Sequence, residues 1–353
     1  MRKGLFALSL TVIAFAAGCP SSVERNTLLN VSYDPTRELY KEFNQAFMEH
    51  YKKETGESIK IEVSHAGSSA QARAVIEGLE ADVVTLALAY DIDNIAQKTG
   101  DLPMDWQKRL PYNSTPYSST VVFLVRKDNP KNIKEWDDLT KPNVEVVVAH
   151  PKTSGVARWA YLAGWGYALK KELGDLKKLH DPNAAAEVAA AQAKAKEYIT
   201  ALYKNVKILP PGARTASQAF VQQKTGDVLL DWENQAELTI NEFGKGECEI
   251  VVPSVSILAE PPVAVIDKNV DRRGTRKVAE AYLEFLYSKE GQEIVAKHYY
   301  RPRDEDILDK YTERGNFVSV EMFTIDDVFG GWQKAQQEHF DNDGVFDQIY
   351  EVK

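Results

Sequence analysis

Three short turns carry residues able to hold an anion: Gly67-Ser68-Ser69, Thr153-Ser154-Gly155-Val156 and Gly212-Ala213-Arg214-Thr215. Each stands just ahead of a helical pattern, over 71–79, 158–169 and 218–223 respectively. A helix start offers N–H groups without intrahelical acceptors and a partial positive charge, so it can bind a negative group. Small residues there let a ligand approach the backbone. Taken singly, each turn reads as an ordinary helix cap, because Ser and Thr are standard capping residues. Three in one chain favour anion binding without naming the anion.

Signatures of catalysis fail one by one. Gly164-Trp165-Gly166 opens like a dinucleotide fingerprint, but Leu169 stands where the third glycine belongs. No Walker A sequence occurs, and no serine has glycines two residues away on both sides, which excludes a nucleophile elbow. The histidines (His50, His65, His150, His180, His298 and His339) form no HExxH pair and read as surface or packing residues. Asp341-Asn342-Asp343-Gly344 begins like a calcium loop, yet its glycine comes too early and Val352 occupies the position of the closing Glu. Pairs such as Asp137-Asp138 read as solvated charge. The sequence therefore predicts no enzyme, no cofactor and no metal.

The elements that must position these turns follow from periodicity. Strands are expected over 28–33, 59–63, 82–88, 121–125, 144–149, 206–209, 228–232, 250–253 and 263–266. Helices are expected over 36–53, where Leu39, Tyr40, Phe43, Phe47 and Tyr51 recur at helical spacing, and over 69–79, 159–173 and the Ala-rich 184–202. This alternation predicts an α/β protein with mainly parallel sheets, too large for one core. The length of 353 residues, at about 150 per domain, agrees with two domains. Apolar residues at 44% and charged residues at 27% exclude a disordered or fibrous chain. A net charge of −9 gives no general attraction to nucleic acid or to an anionic membrane.

Arg2 and Lys3 precede a run of roughly 15 uncharged, mostly apolar residues, so 1–18 reads as a signal peptide; about 20 are needed to span a bilayer. Residues 19–26 read as a tether. Ala16-Ala17-Gly18-Cys19 resembles a bacterial lipoprotein box, with Ala16 in place of the usual Leu. Lipidation of Cys19 is expected, with ordinary cleavage nearby as the alternative. Cys248 is then unpaired, a small inert residue in or beside a strand.

Longer runs carry a family resemblance. They are Asn30-Val31-Ser32-Tyr33-Asp34-Pro35-Thr36-Arg37-Glu38-Leu39-Tyr40, Glu80-Ala81-Asp82-Val83-Val84-Thr85-Leu86-Ala87-Leu88-Ala89-Tyr90-Asp91 and Ser256-Ile257-Leu258-Ala259-Glu260-Pro261. Near the end, Tyr300-Arg301-Pro302-Arg303-Asp304 and Phe323-Thr324-Ile325-Asp326-Asp327-Val328-Phe329-Gly330-Gly331-Trp332 belong with them. From about residue 28 onward the chain resembles the sulfate-binding proteins of bacterial ABC importers. The resemblance implies a type 2 periplasmic-binding-protein fold, with two α/β domains joined by a two-segment hinge and the ligand in the cleft. Domain I would be 27–120 plus 261–353, and domain II 121–260. It also implies a monomer outside the cytoplasmic membrane that delivers sulfate to ABC permease subunits, touching the membrane only through a lipid on Cys19.

Position by position, the resemblance implies that Ser68 gives sulfate backbone and hydroxyl hydrogen bonds. Ser154, Gly155 and Val156 would give further donors, Ala213 a backbone N–H, and Trp232 its indole N–H. Asp34, Arg37, Arg158 and Arg214 would brace these loops without touching the ligand. Val156 stands where the family has a second glycine, so its N–H keeps that role only at negative φ. Sulfate has no proton near neutral pH and only accepts hydrogen bonds. A cleft of donors alone therefore penalises hydrogen phosphate, whose proton finds no acceptor. Asp231 should face away if Trp232 faces the cleft, because strand side chains alternate. The rival readings are thiosulfate, molybdate or phosphate binding, and an exported ester hydrolase with Ser68 or Ser154 as nucleophile and His65 or His150 as base.

Overall fold

The computed structural model describes residues 26–242 and 244–350. The expected signal peptide, Cys19 and the tether up to residue 25 lie outside the described residues. In chain order the strands are β1 (Thr27–Tyr33), β2 (Lys60–Ala66), β3 (Val83–Thr85), β4 (Tyr117–Ser118), β5 (Val121–Arg126), β6 (Val146–Val147) and β7 (Val206–Ile208). They continue with β8 (Val228–Trp232), β9 (Cys248–Val251), β10 (Val255–Ile257), β11 (Val263–Val265), β12 (Arg301–Pro302) and β13 (Glu321–Phe323).

Two sheets organise the chain. The first runs β11-β3-β1-β2 and the second β7-β6-β8-β5-β9. Both are mixed, where mainly parallel sheets were expected. In the first, β1 is parallel to β2 and β3 while β11 is antiparallel to β3. In the second, β6 is parallel to β7 and β8, while β5 is antiparallel to β8 and β9. The reason is connectivity: β5 and β11 are entered from the other unit, not through a helical crossover, so nothing imposes the parallel direction. β5 is buried from Val121 to Val125, the continuous apolar run of a strand covered on both faces.

Helices cover these sheets. Helix Arg37–Thr55 buries Leu39, Tyr40, Phe43, Phe47 and Tyr51 and ends at Gly56, whose φ of 77° suits glycine. Helix Gly155–Leu173 begins four residues before the expected start, capped by the Ser154 side chain, and is buried from Gly155 through Leu169. It is a central helix of the core, packed on all sides.

Two chain segments cross between the units side by side. β4 pairs antiparallel with β12, and Ser119 bridges Ala259. Arg303 ties the crossings together: it donates to the Thr115 carbonyl (3.0 Å), to Thr115 Oγ1 (2.7 Å) and to Glu260 (2.6 Å).

The C-terminal segment departs from the expected division, which placed all of 261–353 in domain I. From residue 321 to 350 it packs on the second unit. β13 lies parallel to β10. Tyr161 bonds His339 (3.2 Å), and the Lys152 ammonium reaches Asp347 and the Phe340 carbonyl, both at 2.8 Å. Phe323, Phe329, Trp332 and Phe340 are buried, and their apolar surface finds cover on the aromatic face of helix Gly155–Leu173. Gly166 makes room for this docking, since a Cβ there would sit 2.0 Å from the Phe323 ring. Replacing Gly166 with Ala should therefore destabilise the protein by about 1–3 kcal/mol, read as a lower urea midpoint with faster proteolysis near residue 321. An unchanged midpoint would separate the C-terminal segment from this unit.

Candidate functional site

Three helix starts meet between the units. Helices Ser68–Ile76, Gly155–Leu173 and Ala213–Val221 begin at the three turns singled out above. Helix geometry leaves the first N–H groups of each without an acceptor in its own helix. The turns press together so closely that side chains are excluded. A Cβ on Gly67 would lie 2.6 Å from the Thr153 carbonyl oxygen, and one on Gly155 would lie 2.8 Å from Ala87 Cβ and 3.2 Å from Ser68 Cβ. A Cβ on Gly212 would approach Asp34 Oδ2 at 3.1 Å. Thr153 Oγ1 donates to the Pro211 carbonyl at 2.8 Å, joining two of the turns.

Trp232, at the end of β8, completes the constellation. Its ring is fully buried, edge-on to Tyr33 at 5.7 Å and to Trp159 at 6.5 Å between centroids. Trp159 donates its indole N–H to the Ala87 carbonyl (2.9 Å), and the Ala87 N–H donates to Ser68 Oγ (3.0 Å). A continuous chain of contacts thus links Trp232 to the turn at Ser68. The Trp232 indole N–H, however, has no hydrogen-bond partner. A buried donor left unpaired costs about 1–3 kcal/mol, so this one awaits an acceptor.

Among the other expected donors, Ser154 Oγ accepts from the Ala157 N–H (3.4 Å), a bond that does not use its own hydrogen. Gly155 and Val156 are the first two helical residues. Val156 is not among the residues with positive φ, so the condition set by its β-branched side chain is met. Ala213 is likewise the first residue of its helix. The Ser68 hydroxyl differs from expectation: it donates to Asp91 Oδ2 at 2.5 Å. A buried carboxylate needs donors, and Asp91, 2% exposed, takes this hydroxyl together with that of Ser69 (3.1 Å). Only the backbone of Ser68 is left to give.

The bracing residues have distinct surroundings. Arg158 is 5% exposed; its Nε donates to the Pro151 carbonyl (2.8 Å) and its Nη1 has no partner. Burial pushes its pKa down, and Asp91 opposes that. Arg214 reaches from its helix to Glu38 on helix Arg37–Thr55 (2.9 Å) and to Glu242 (3.3 Å), so it joins the two units. Arg37 pairs with Asp34 Oδ1 at 3.2 Å on an exposed edge. Asp231 faces away from Trp232's ring, as alternation requires. Its carboxylate accepts from the Trp232 backbone N–H (2.8 Å) and from Ser217 (3.5 Å), beside Gln235 and Thr239.

The histidines give the serines no base. His65 Nδ1 lies against the Tyr33 carbonyl (3.3 Å), and burial followed by the charge of Arg37 pushes its pKa down to about 4. His150 Nδ1 accepts from the Lys152 N–H (3.1 Å). Cys248 opens β9, buried and free, and burial raises its thiol pKa. Among the described residues no group of acids, histidines and cysteines is placed to hold a metal, and no helix is long and apolar enough to cross a membrane. Inspection of residue types did not single out Asp91, Ala87, Trp159 or Glu38. Their positions in the quoted runs offered a signal only for the first two and the last.

With the geometry in view, known proteins are informative. A family model described as bacterial extracellular solute-binding protein matches residues 28–301. The sulfate-binding protein of Escherichia coli strain K12 is 56% identical over 322 residues, covering 91% of this chain and 92% of that protein. A thiosulfate-binding protein of Pseudomonas aeruginosa is 49% identical over 348 residues, 99% of both chains. The solved structure of the sulfate-binding protein SubI from Mycobacterium tuberculosis H37Rv superposes with a TM-score of 0.76 at 27% identity, covering 90% of this chain and 100% of that one. The periplasmic binding protein AfuA from Actinobacillus pleuropneumoniae shares the fold, with a TM-score of 0.57 at 19% identity over 77% of this chain and 82% of that one.

Asp231 generates a prediction. Burial raises its pKa to about 7 from an ordinary 3.8. Between those values the folded protein holds a proton that the unfolded chain has lost. Stability therefore falls as pH rises through that window, by about 1.4 kcal/mol per unit for this one group. Asp231→Asn keeps an oxygen for the Trp232 N–H and removes the titration. In urea unfolding the variant should gain on the wild type between pH 5 and pH 8; a constant difference would show that Asp231 does not titrate there.

Proposed function

The chain belongs to the bacterial extracellular solute-binding proteins, and on that premise we propose that it captures sulfate outside the cytoplasmic membrane and hands it to an ABC permease. One observation carries the reading: the buried Trp232 indole N–H without a partner, reached through Trp159 and Ala87 from the turn that opens helix Ser68–Ile76. A dianion among those groups would accept from Trp232, from Ser154 Oγ and from the backbone of Ser68, Gly155, Val156 and Ala213. Charge-assisted bonds of this kind are worth about 1.5–3 kcal/mol each. Arg37 and Arg214 pair with acids around the loops and Arg158 holds the Pro151 carbonyl, which would leave the ligand to neutral donors.

The units would close about the two crossing segments, and the permease would meet the closed form. Arg214 bonding Glu38 across the units fits that state. No turnover chemistry is proposed, because neither His65 nor His150 bonds Ser68 or Ser154. Lipidation of Cys19 would hold the protein at the membrane surface; mass spectrometry of the mature chain lacking a lipid-sized increment would exclude it. Thiosulfate is the second reading, supported by the relative that is 49% identical over nearly the whole chain; it too carries no proton.

Calorimetric titration of the ligand-free protein with sulfate, thiosulfate, molybdate and phosphate tests the reading. Sulfate should bind far more tightly than phosphate, and equal affinities would overturn the donor-only site. Trp232→Phe removes one donor and should weaken sulfate binding by about 1.5–3 kcal/mol. Unchanged affinity would remove Trp232 from the site.

A further inference from the structure

We propose that Ser68 and Asp91 together set the selectivity of the cleft: the Ser68 hydroxyl caps a buried carboxylate that would otherwise accept the proton of a protonated oxyanion. The inference rests on the sulfate reading above and names a selectivity device within that site.

The geometry is specific. Asp91 stands in the first turn of helix Ala89–Thr99 and is 2% exposed. Its Oδ2 lies 2.5 Å from Ser68 Oγ, and its Oδ1 lies 3.1 Å from Ser69 Oγ. Among the described residues it makes no direct ion pair, although Arg158 acts on it electrostatically and opposes the rise in pKa that burial causes. The Ser68 hydroxyl has a single hydrogen, and Asp91 takes it. Ser68 Oγ in turn accepts the Ala87 N–H at 3.0 Å. On its other side the Ser68 side chain abuts Gly155, where an added Cβ would lie 3.2 Å from Ser68 Cβ. The hydroxyl that binds the carboxylate thus belongs to a side chain lying against the turn that opens helix Gly155–Leu173.

That layer decides what the cleft offers. With Ser68 in place, the carboxylate's hydrogen bonds are met from inside, and the cleft presents donors. Without the hydroxyl, Asp91 Oδ2 loses its 2.5 Å partner, keeps only the Ser69 hydroxyl that it shares with Oδ1, at 3.4 Å, and would offer its freed acceptor capacity to the anion. Sulfate, which has no hydrogen to give, would then face uncompensated negative charge. Hydrogen phosphate would place its proton there. A site built around one polar match rejects a ligand lacking that match, because the unmatched group stays buried and unpaired.

The test compares sulfate and inorganic phosphate by calorimetry on the wild type, Ser68→Ala, Asp91→Ala and the double variant, with thermal unfolding as the check of folding. Ser68→Ala should weaken sulfate binding and tighten phosphate binding, cutting the sulfate-over-phosphate ratio by about tenfold or more. The double variant, with no acceptor at position 91, should regain the wild-type preference, and Asp91→Ala alone should keep it. If Ser68→Ala does not fold, Ser68→Gly removes the same hydroxyl and is read in the same way. Equal losses for both anions, or a lowered ratio that persists in the double variant, would overturn the proposal. A wild type that binds neither sulfate nor thiosulfate would instead overturn the functional reading on which it rests.

Discussion

A hydrogen-bond donor sealed from water must find an acceptor, and the Trp232 indole N–H finds none within the protein. That deficit lies where the two sheets meet. The strand that ends at Trp232 sits in the second sheet, while Tyr33 at the end of β1 and the turn at Ser68 belong to the first. The indole is buried between them with its N–H unpaired. A bound acceptor would offset the cost of that unpaired donor. On the proposed reading, binding would favour closure by supplying that acceptor.

What allows the units to approach is the absence of side chains. Gly67, Gly155 and Gly212 stand where a Cβ would meet the opposite turn or its neighbours at 2.6–3.1 Å. These glycines matter through close approach, because none of them has positive φ. The hinge supplies the complementary rigidity. Arg303 holds Thr115 and Glu260, one residue on each crossing. Arg301 forms a buried bidentate pair with Glu233, immediately after Trp232. A buried pair of this kind contributes little net stability but fixes geometry; here it fixes the helix start next to the orphaned indole.

The local chemistry of the site was legible in the sequence, and its long-range assembly was not. Capping residues announce helix starts within a few positions, so the turns at Ser68, Ser154 and Ala213 could be read directly. β8 spans 228–232 as expected, because a short apolar run bounded by polar residues specifies a buried strand. The expected strands over 82–88 and 144–149 shrink to Val83–Thr85 and Val146–Val147. Residues 86–88 and 148–149 are buried in loops leading to helix starts, and hydrophobicity reports burial without reporting pairing. The contact of Gly67 with Thr153 and the bond from Arg214 to Glu38 join residues more than 80 positions apart, which no local pattern encodes. By residue type alone Asp91 did not stand out for another reason: an acid in the first turn of a helix is what the helix dipole favours in any protein. Gly166, weighed against a dinucleotide fingerprint, is accounted for by Phe323 resting on it.

A chain of net charge −9 that offers a cleft to a dianion has to neutralise its own acids first. Asp34, Asp91 and Asp231 all lie close to the turns or to Trp232, and each has its hydrogen-bonding capacity turned elsewhere. Asp34 pairs with Arg37, Asp91 takes the hydroxyls of Ser68 and Ser69, and Asp231 takes the Trp232 backbone N–H. The cations follow the acids: Arg214 lies on Glu38 and Glu242, and Arg158 lies within the field of Asp91. Asp231 alone lacks such a partner, and burial pushes its pKa up to about 7. An arginine aimed at the ligand would attract any anion of suitable size, protonated or not. Pairing Arg37 and Arg214 with the protein's own carboxylates would leave neutral donors to face the guest, and neutral donors distinguish anions by whether they carry a hydrogen. On the proposed reading, selectivity would come from removing acceptors, with charge attraction playing little part.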